Sequence, residues 1–104
     1  MAIGPIWNSS SSLGVATSVN NSGSKTQAGA AHVSTKSGSR WAKTSFLKAP
    51  NTCTSEQFGL SVAINETAAT LVIGAVLESS NATGVAGAGQ TNNGASSAGA
   101  VYVY

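Results

Sequence analysis

Side chains that could do chemistry are few in this sequence and are scattered along it. The 104 residues include one histidine (His32), one cysteine (Cys53) and three glutamates (Glu56, Glu66 and Glu78), but no aspartate. A nucleophile needs a neighbouring base, and a zinc site needs three or four ligands, so neither can be assembled from this set. The glutamates are interpreted as solvated loop carboxylates. The sequence therefore predicts no enzyme, no catalytic residue, no metal site and no cofactor.

Two short segments resemble catalytic or cofactor motifs without meeting their requirements. Gly59–Ala63 approximates a nucleophile elbow, but no helix is predicted after it and its last glycine is replaced. Gly84–Gly89 is rich in glycine, but it lacks the spacing and the acidic partner of a dinucleotide fingerprint. We interpret the first as an ordinary strand and the second as a loop.

Charge is scarce, at 8% of residues with a net charge of +2. Lys36, Arg40, Lys43 and Lys48 group around one predicted hairpin, where a solvated outer strand is the default interpretation and a weakly basic patch is the alternative. The basic residues are too few to predict nucleic-acid binding. No apolar run is long enough to predict membrane insertion, and the N-terminus shows no signal peptide.

Secondary-structure signals indicate an all-β protein. Short apolar or alternating runs are separated by Gly, Ser, Thr and Asn, a pattern typical of an antiparallel meander. Strands are predicted at Leu13–Val19, Ala28–Thr35, Arg40–Leu47, Phe58–Ile64, Thr70–Val76 and Gly99–Tyr104.

Strand polarity indicates which positions are buried or closely approached. The run Leu71–Val76 is apolar on both faces, which is typical of a strand with layers on each side, and its Gly74 is expected to mark a close approach. Residues 77–97 form the longest stretch without a strand signal. A long loop of this kind is either a functional excursion or mobile, and its composition, rich in Gly, Ser, Thr and Asn without any aromatic residue, favours mobility.

The chain contains parts of an internal repeat. Ala28–Ser34 matches Ala98–Tyr104 at an offset of 70 residues, and Leu13–Ala16 matches Ile73–Val76 at an offset of 60. The two offsets differ by ten residues. These extra residues fall in a loop rich in Gly and Ser, where insertions are tolerated best.

These segments, together with Phe58-Gly59, resemble the FG-GAP repeat of integrin-alpha-type β-propellers, in particular the bacterial extracellular variety. The family motif falls on Phe58, Gly59, Gly74, Ala75, Gly99 and Tyr102. Val76 stands where the family has proline, and the Asp-rich calcium loops of many members cannot exist in a chain without aspartate.

The resemblance implies a fold made of incomplete four-stranded propeller blades. Residues 13–47 would form the last three strands of one blade, and residues 58–104 would form the first three of the next, with a long loop at 77–97. Residues 1–12 are a candidate additional strand anchored by Trp7. Blades bury their faces only against other blades, so three outcomes are expected: closure by several copies, a compact sandwich, or a poorly folded fragment.

The function that the resemblance implies is a non-catalytic structural or binding module that contacts another protein or copies of itself. It also implies an extracellular or cell-surface location and a role in adhesion. The alternatives are a carbohydrate-binding module with Trp7, Trp41, Tyr102 or Tyr104 as stacking platforms, and a non-functional fragment of a larger propeller gene. The candidate interaction residues are Trp7, Trp41 and Tyr104.

Overall fold

A computed structural model describes residues 1–16, 23–67, 69–85 and 90–104. Its strands are antiparallel, no helix is present among these residues, and the predicted all-β fold class is confirmed. The seven strands are β1 (Ala2–Ile3), β2 (Val15–Ala16), β3 (Ala31–Ser37), β4 (Arg40–Leu47), β5 (Phe58–Ile64), β6 (Leu71–Ala75) and β7 (Ala100–Val103).

Four strands form sheet A, in the order β1-β3-β4-β2. Strands β3 and β4 form a hairpin whose turn contains Gly38 at φ 59°, a left-handed conformation that glycine adopts without strain. The predicted meander order is wrong for this sheet, because β2 pairs with β4 through Val15 and Leu47 rather than with β3. The physical reason is that β1 and β4 already occupy both edges of β3. Residues 17–19 of the predicted strand Leu13–Val19 lie outside the described residues.

Three strands form sheet B, in the meander order β5-β6-β7. The turn between β5 and β6 is closed by the Asn65 side chain, whose Oδ1 accepts hydrogen bonds from the amides of Ala69 and Thr70 at 2.8 and 3.1 Å. The pairing of β5 with β6 is interrupted by a bulge between Phe58 and Ser61.

The core lies between the facing sides of the two sheets. Leu47 of sheet A and Phe58 and Ile73 of sheet B are each at most 3% exposed. The Phe58 ring packs against the rings of Tyr102 and Tyr104, with centroids 5.3 and 6.4 Å apart. Most other members of the core cluster are alanines, so the two sheets can approach closely.

The sheets join where three glycine-containing segments cross. The Phe58 amide donates to the Ala28 carbonyl at 2.9 Å, and Gly29 forms an isolated parallel bridge with Phe58. A Cβ atom added at Gly4 or Gly59 would lie well under 3.0 Å from a carbonyl oxygen of another segment. The closest backbone approach is therefore at this crossing. At Gly74 an added Cβ would meet only the side-chain hydroxyl of Ser61, which can rotate away.

Candidate interaction site

The outer face of sheet B, which points away from sheet A, carries exposed valines. Side chains alternate along a strand and antiparallel partners share a face, so the register places Val72, Val101 and Val103 on this outer face and Tyr102 on the inner one. Val101 and Val103 are 69% and 68% exposed. A patch of valines is the kind of surface that packs against another protein.

The free edge of β7 presents backbone hydrogen-bonding groups beside these valines. Tyr104 exchanges two hydrogen bonds with Leu71 of β6, each at 2.9 Å. In an antiparallel ladder the bonding direction alternates, so the N–H and C=O groups of Tyr102 also point toward β6. The corresponding groups of Val101 and Val103 point outward, and no described residue bonds to them.

A groove of about 1150 Å³ runs along this edge. One wall is β7, and the other is formed by described parts of the 77–97 segment, including Ala82, Val85 and Gln90. The groove therefore runs beside the strand whose Val101 and Val103 backbone groups bond to no described residue.

Hydrogen bonds join the two ends of the 77–97 segment to each other and to the residue that precedes β7. The Ala95 amide donates to the Ser79 carbonyl at 2.8 Å, and the Gly99 amide donates to the Glu78 carbonyl at 2.9 Å. The expectation that this segment is mobile stays a prediction. Residues 86–89 lie outside the described part.

A buried polar network supports this wall of the groove. Asn51 is its centre: its Nδ2 donates to Glu78 Oε1 at 2.7 Å, and its Oδ1 accepts a hydrogen bond from the Tyr102 hydroxyl at 2.8 Å. The second carboxylate oxygen of Glu78 accepts a hydrogen bond from the Ser80 amide at 3.0 Å. Burial, reinforced by the nearby carboxylates, raises the pKa of Tyr102 well above its usual value, so the phenol stays a hydrogen-bond donor.

Lys48 and Glu56 are buried close to this network. The ammonium group of Lys48 donates to the Gly29 carbonyl, and burial lowers the pKa of this lysine to about 8. One carboxylate oxygen of Glu56 accepts the Cys53 amide at 2.7 Å, while the other is buried without a hydrogen-bond partner. Burial is also the main cause that raises the pKa of Glu56.

These positions correct the sequence interpretation of the charged residues. Glu56 and Glu78 are each 2% exposed rather than solvated, and Lys48 is fully buried rather than part of a basic outer patch. The signal available in the sequence was weak: Lys48 directly follows the buried pair Phe46-Leu47, and Glu56 stands two residues before the Phe-Gly motif.

The candidate aromatic platforms lie in three different environments. Tyr102 and Tyr104 are half-buried, their rings pack on Phe58, and the Tyr104 hydroxyl donates to the Lys48 carbonyl at 2.8 Å. Trp7 is exposed in the N-terminal segment rather than anchoring it. Trp41 is exposed on the β3–β4 hairpin. The two tyrosines therefore lie together against Phe58, and no ring contact joins either of them to Trp7 or Trp41 in the described ranges.

His32 is a sheet residue whose ring lies 5.0 Å from that of Phe46. Burial and the positive charge of Lys43 lower its pKa, so the imidazole is neutral at neutral pH. No group of three His, Cys, Asp or Glu side chains that could hold a metal ion is found in the described ranges. In the same ranges there is no helix of the length and apolarity needed to cross a membrane.

Two small antiparallel sheets joined at a glycine crossing are consistent with partial blades of a β-propeller. The chain belongs to the FG-GAP repeat family, whose model matches residues 41–104. This range runs from Trp41 in β4 through the whole of sheet B. Neither the curated proteins nor the solved structures include a significant match to the chain.

Proposed function

We propose that the protein is a non-catalytic binding module that associates with a second copy of itself through the free edge of β7. The observation that carries this proposal is the row of outward-facing backbone groups at Val101 and Val103, next to exposed apolar side chains. An unpaired strand edge of this kind adds another strand when one is available.

The internal repeat indicates what kind of strand fits. Val33 of β3 corresponds to Val103 of β7 at the offset of 70 residues. Because Ser34 bonds to Met1 on the β1 side, the N–H and C=O groups of Val33 point toward β4. The same groups of Val103 point to the groove, where no described residue bonds to them. The β7 edge can therefore accept an antiparallel strand in the position that β4 takes beside β3.

Strand β7 of a second copy satisfies this requirement. When two β7 strands pair antiparallel around a two-fold axis at Tyr102, Val101 of each copy faces Val103 of the other. Each such pair exchanges two hydrogen bonds, so every outward-facing group of both strands is satisfied. The valines also meet across the new strand pair, and valine pairs stabilise antiparallel sheets. The contact is isologous and closes as a dimer.

Light scattering during size-exclusion chromatography, over a concentration series, tests this proposal. We expect a dimer that dissociates on dilution. Val103→Pro removes an outward N–H without touching the ladder to β6, and edge strands tolerate proline, so this variant is expected to be folded and monomeric. Val103→Thr keeps both the N–H and the branched shape, and it is the matched control that should still dimerise.

Two results would count against the proposal. The first is a monomer at every concentration up to the solubility limit. The second is a dimer whose dissociation is the same for Val103→Pro and Val103→Thr, because that dimer would use another surface. If copies of the protein stand on two opposing surfaces, pairing of their β7 edges would join those surfaces. This is the form of adhesion that the proposal implies.

A further inference from the structure

A second exposed surface lies on the β3–β4 hairpin, on the opposite side of the molecule's core from sheet B. Val33 packs against the core, so alternation along β3 places Ser34 and Lys36 on the face of sheet A that points away from sheet B. Their cross-strand partners Lys43 and Trp41 share that face. We call these four residues, Ser34, Lys36, Trp41 and Lys43, the tryptophan face.

The tryptophan face combines one exposed aromatic ring with positive charge. Trp41 is 54% exposed, and the Lys36 ammonium lies 5.9 Å from the centre of its ring. Lys43 is two residues further along β4 on the same face, and it is also exposed. No acidic residue occurs between positions 31 and 47, so nothing in the hairpin neutralises the two lysines.

We propose that the tryptophan face binds an anionic polysaccharide. The C–H groups on one side of a sugar ring carry partial positive charge and pack on the negative face of an indole. When a sugar stacks there, Lys36, whose ammonium lies over the ring, and Lys43 reach carboxylate or sulfate groups on that sugar or on its neighbours. This surface is independent of the β7 edge, so dimerisation and polysaccharide binding can be lost separately.

A nucleic acid fits this surface less well. Proteins that bind single strands stack several successive bases on several aromatic rings along a basic groove. The β3–β4 hairpin offers one exposed ring, and no ring contact joins Trp41 to another aromatic side chain among the described residues.

Affinity electrophoresis tests the proposal with three polymers in the gel: polygalacturonate, dextran sulfate and neutral dextran. We expect retardation by one or both of the anionic polymers and none by dextran, and comparing the two anionic polymers distinguishes carboxylate from sulfate recognition. Because the charges are exposed, added salt should weaken binding. Single-stranded DNA in a fourth gel provides the nucleic-acid comparison.

Matched variants locate the surface. Trp41→Ala should weaken binding by about tenfold or more, as expected for loss of a stacking platform, whereas Trp7→Ala removes an even more exposed tryptophan elsewhere and should change nothing. Lys43→Gln should weaken binding by about twofold to fivefold, as expected for an exposed ion pair, and Lys25→Gln is its control. Circular dichroism checks that each variant is folded.

Three results would overturn the proposal: no retardation by either anionic polymer, equal effects of Trp41→Ala and Trp7→Ala, or tighter binding of single-stranded DNA than of both polysaccharides. The last result would assign the tryptophan face to nucleic acid instead.

Discussion

Replacing Gly59 by alanine tests the glycine crossing that joins the two sheets. Gly59 has φ 95°, a conformation that residues with a Cβ atom rarely adopt. An added Cβ would also lie well under 3.0 Å from the Ala30 carbonyl oxygen and 3.1 Å from the Gly4 Cα. Both neighbours are backbone atoms, so the collision cannot be relieved by rotating a side chain.

The expected cost of Gly59→Ala has two parts. A side chain held at positive φ costs about 1 to 2 kcal/mol. Overpacking that moves backbone costs about 1 to 3 kcal/mol more. Together they lower the free energy of unfolding by about 2 to 5 kcal/mol, a large share of the roughly 5 to 15 kcal/mol typical of a domain of this size.

Urea unfolding followed by circular dichroism measures this cost, and Gly38→Ala is the matched control. Gly38 also has a positive φ, 59°, but an added Cβ there has no heavy atom within 4 Å. Gly38→Ala should therefore lose only the conformational part, about 1 to 2 kcal/mol. The difference between the two variants isolates the contact at the crossing.

Equal losses for Gly59→Ala and Gly38→Ala would refute this reasoning, because they would show that no backbone lies against Gly59. A third variant, Gly74→Ala, should cost less than Gly59→Ala, since its added Cβ meets the rotatable hydroxyl of Ser61. A larger loss at Gly74 would place the close approach inside sheet B instead of at the crossing.

Three further predictions concern buried and half-buried polar groups. In the folded state Lys48 has a pKa of about 8, against its usual 10.5, so the unfolded chain binds this proton more tightly. The free energy of unfolding should therefore rise as the pH increases from 8 toward 10. Urea unfolding of Lys48→Met should show no such rise. Burial raises the pKa of Tyr104 to about 12 from its usual 10. The stability that the protonated phenol contributes should therefore be lost as the pH rises from 10 through 12. Tyr104→Phe should show no such loss in urea unfolding. Asn51→Ala should cost about 2 to 3 kcal/mol because it leaves buried partners unsatisfied, against about 1 kcal/mol for Tyr102→Phe, which removes one hydrogen bond. Equal costs for these two variants in urea unfolding would contradict the central position of Asn51.

Sequence patterns predicted the strands that have strong local signals. Strands β4 and β5 have the bounds expected from their sequences, because the flanking turns and the Phe-Gly motif define both ends. The pairing of β2 with β4 was not predictable in this way. It depends on β1 taking one edge of β3, and a strand of two residues gives almost no periodicity to read.

The site was predictable only in part, for a related reason. Exposed valines beside an open edge follow from the expectation that an isolated blade leaves surfaces uncovered. The burial of Lys48, Glu56 and Glu78 does not follow, because charged residues in loops are usually solvated. Their burial depends on how the loop after β4 and the segment after β6 fold over the end of the sheets, and no local pattern encodes that tertiary arrangement.

Amide hydrogen exchange at β7, measured by NMR at low and high protein concentration, tests most directly whether this edge pairs with a second copy. The amides of Tyr102 and Tyr104 point toward β6 and should be protected at both concentrations. The amides of Val101 and Val103 should exchange rapidly in dilute solution and become protected as the dimer forms. Rapid exchange of both valine amides at a concentration where the protein is dimeric would contradict the account.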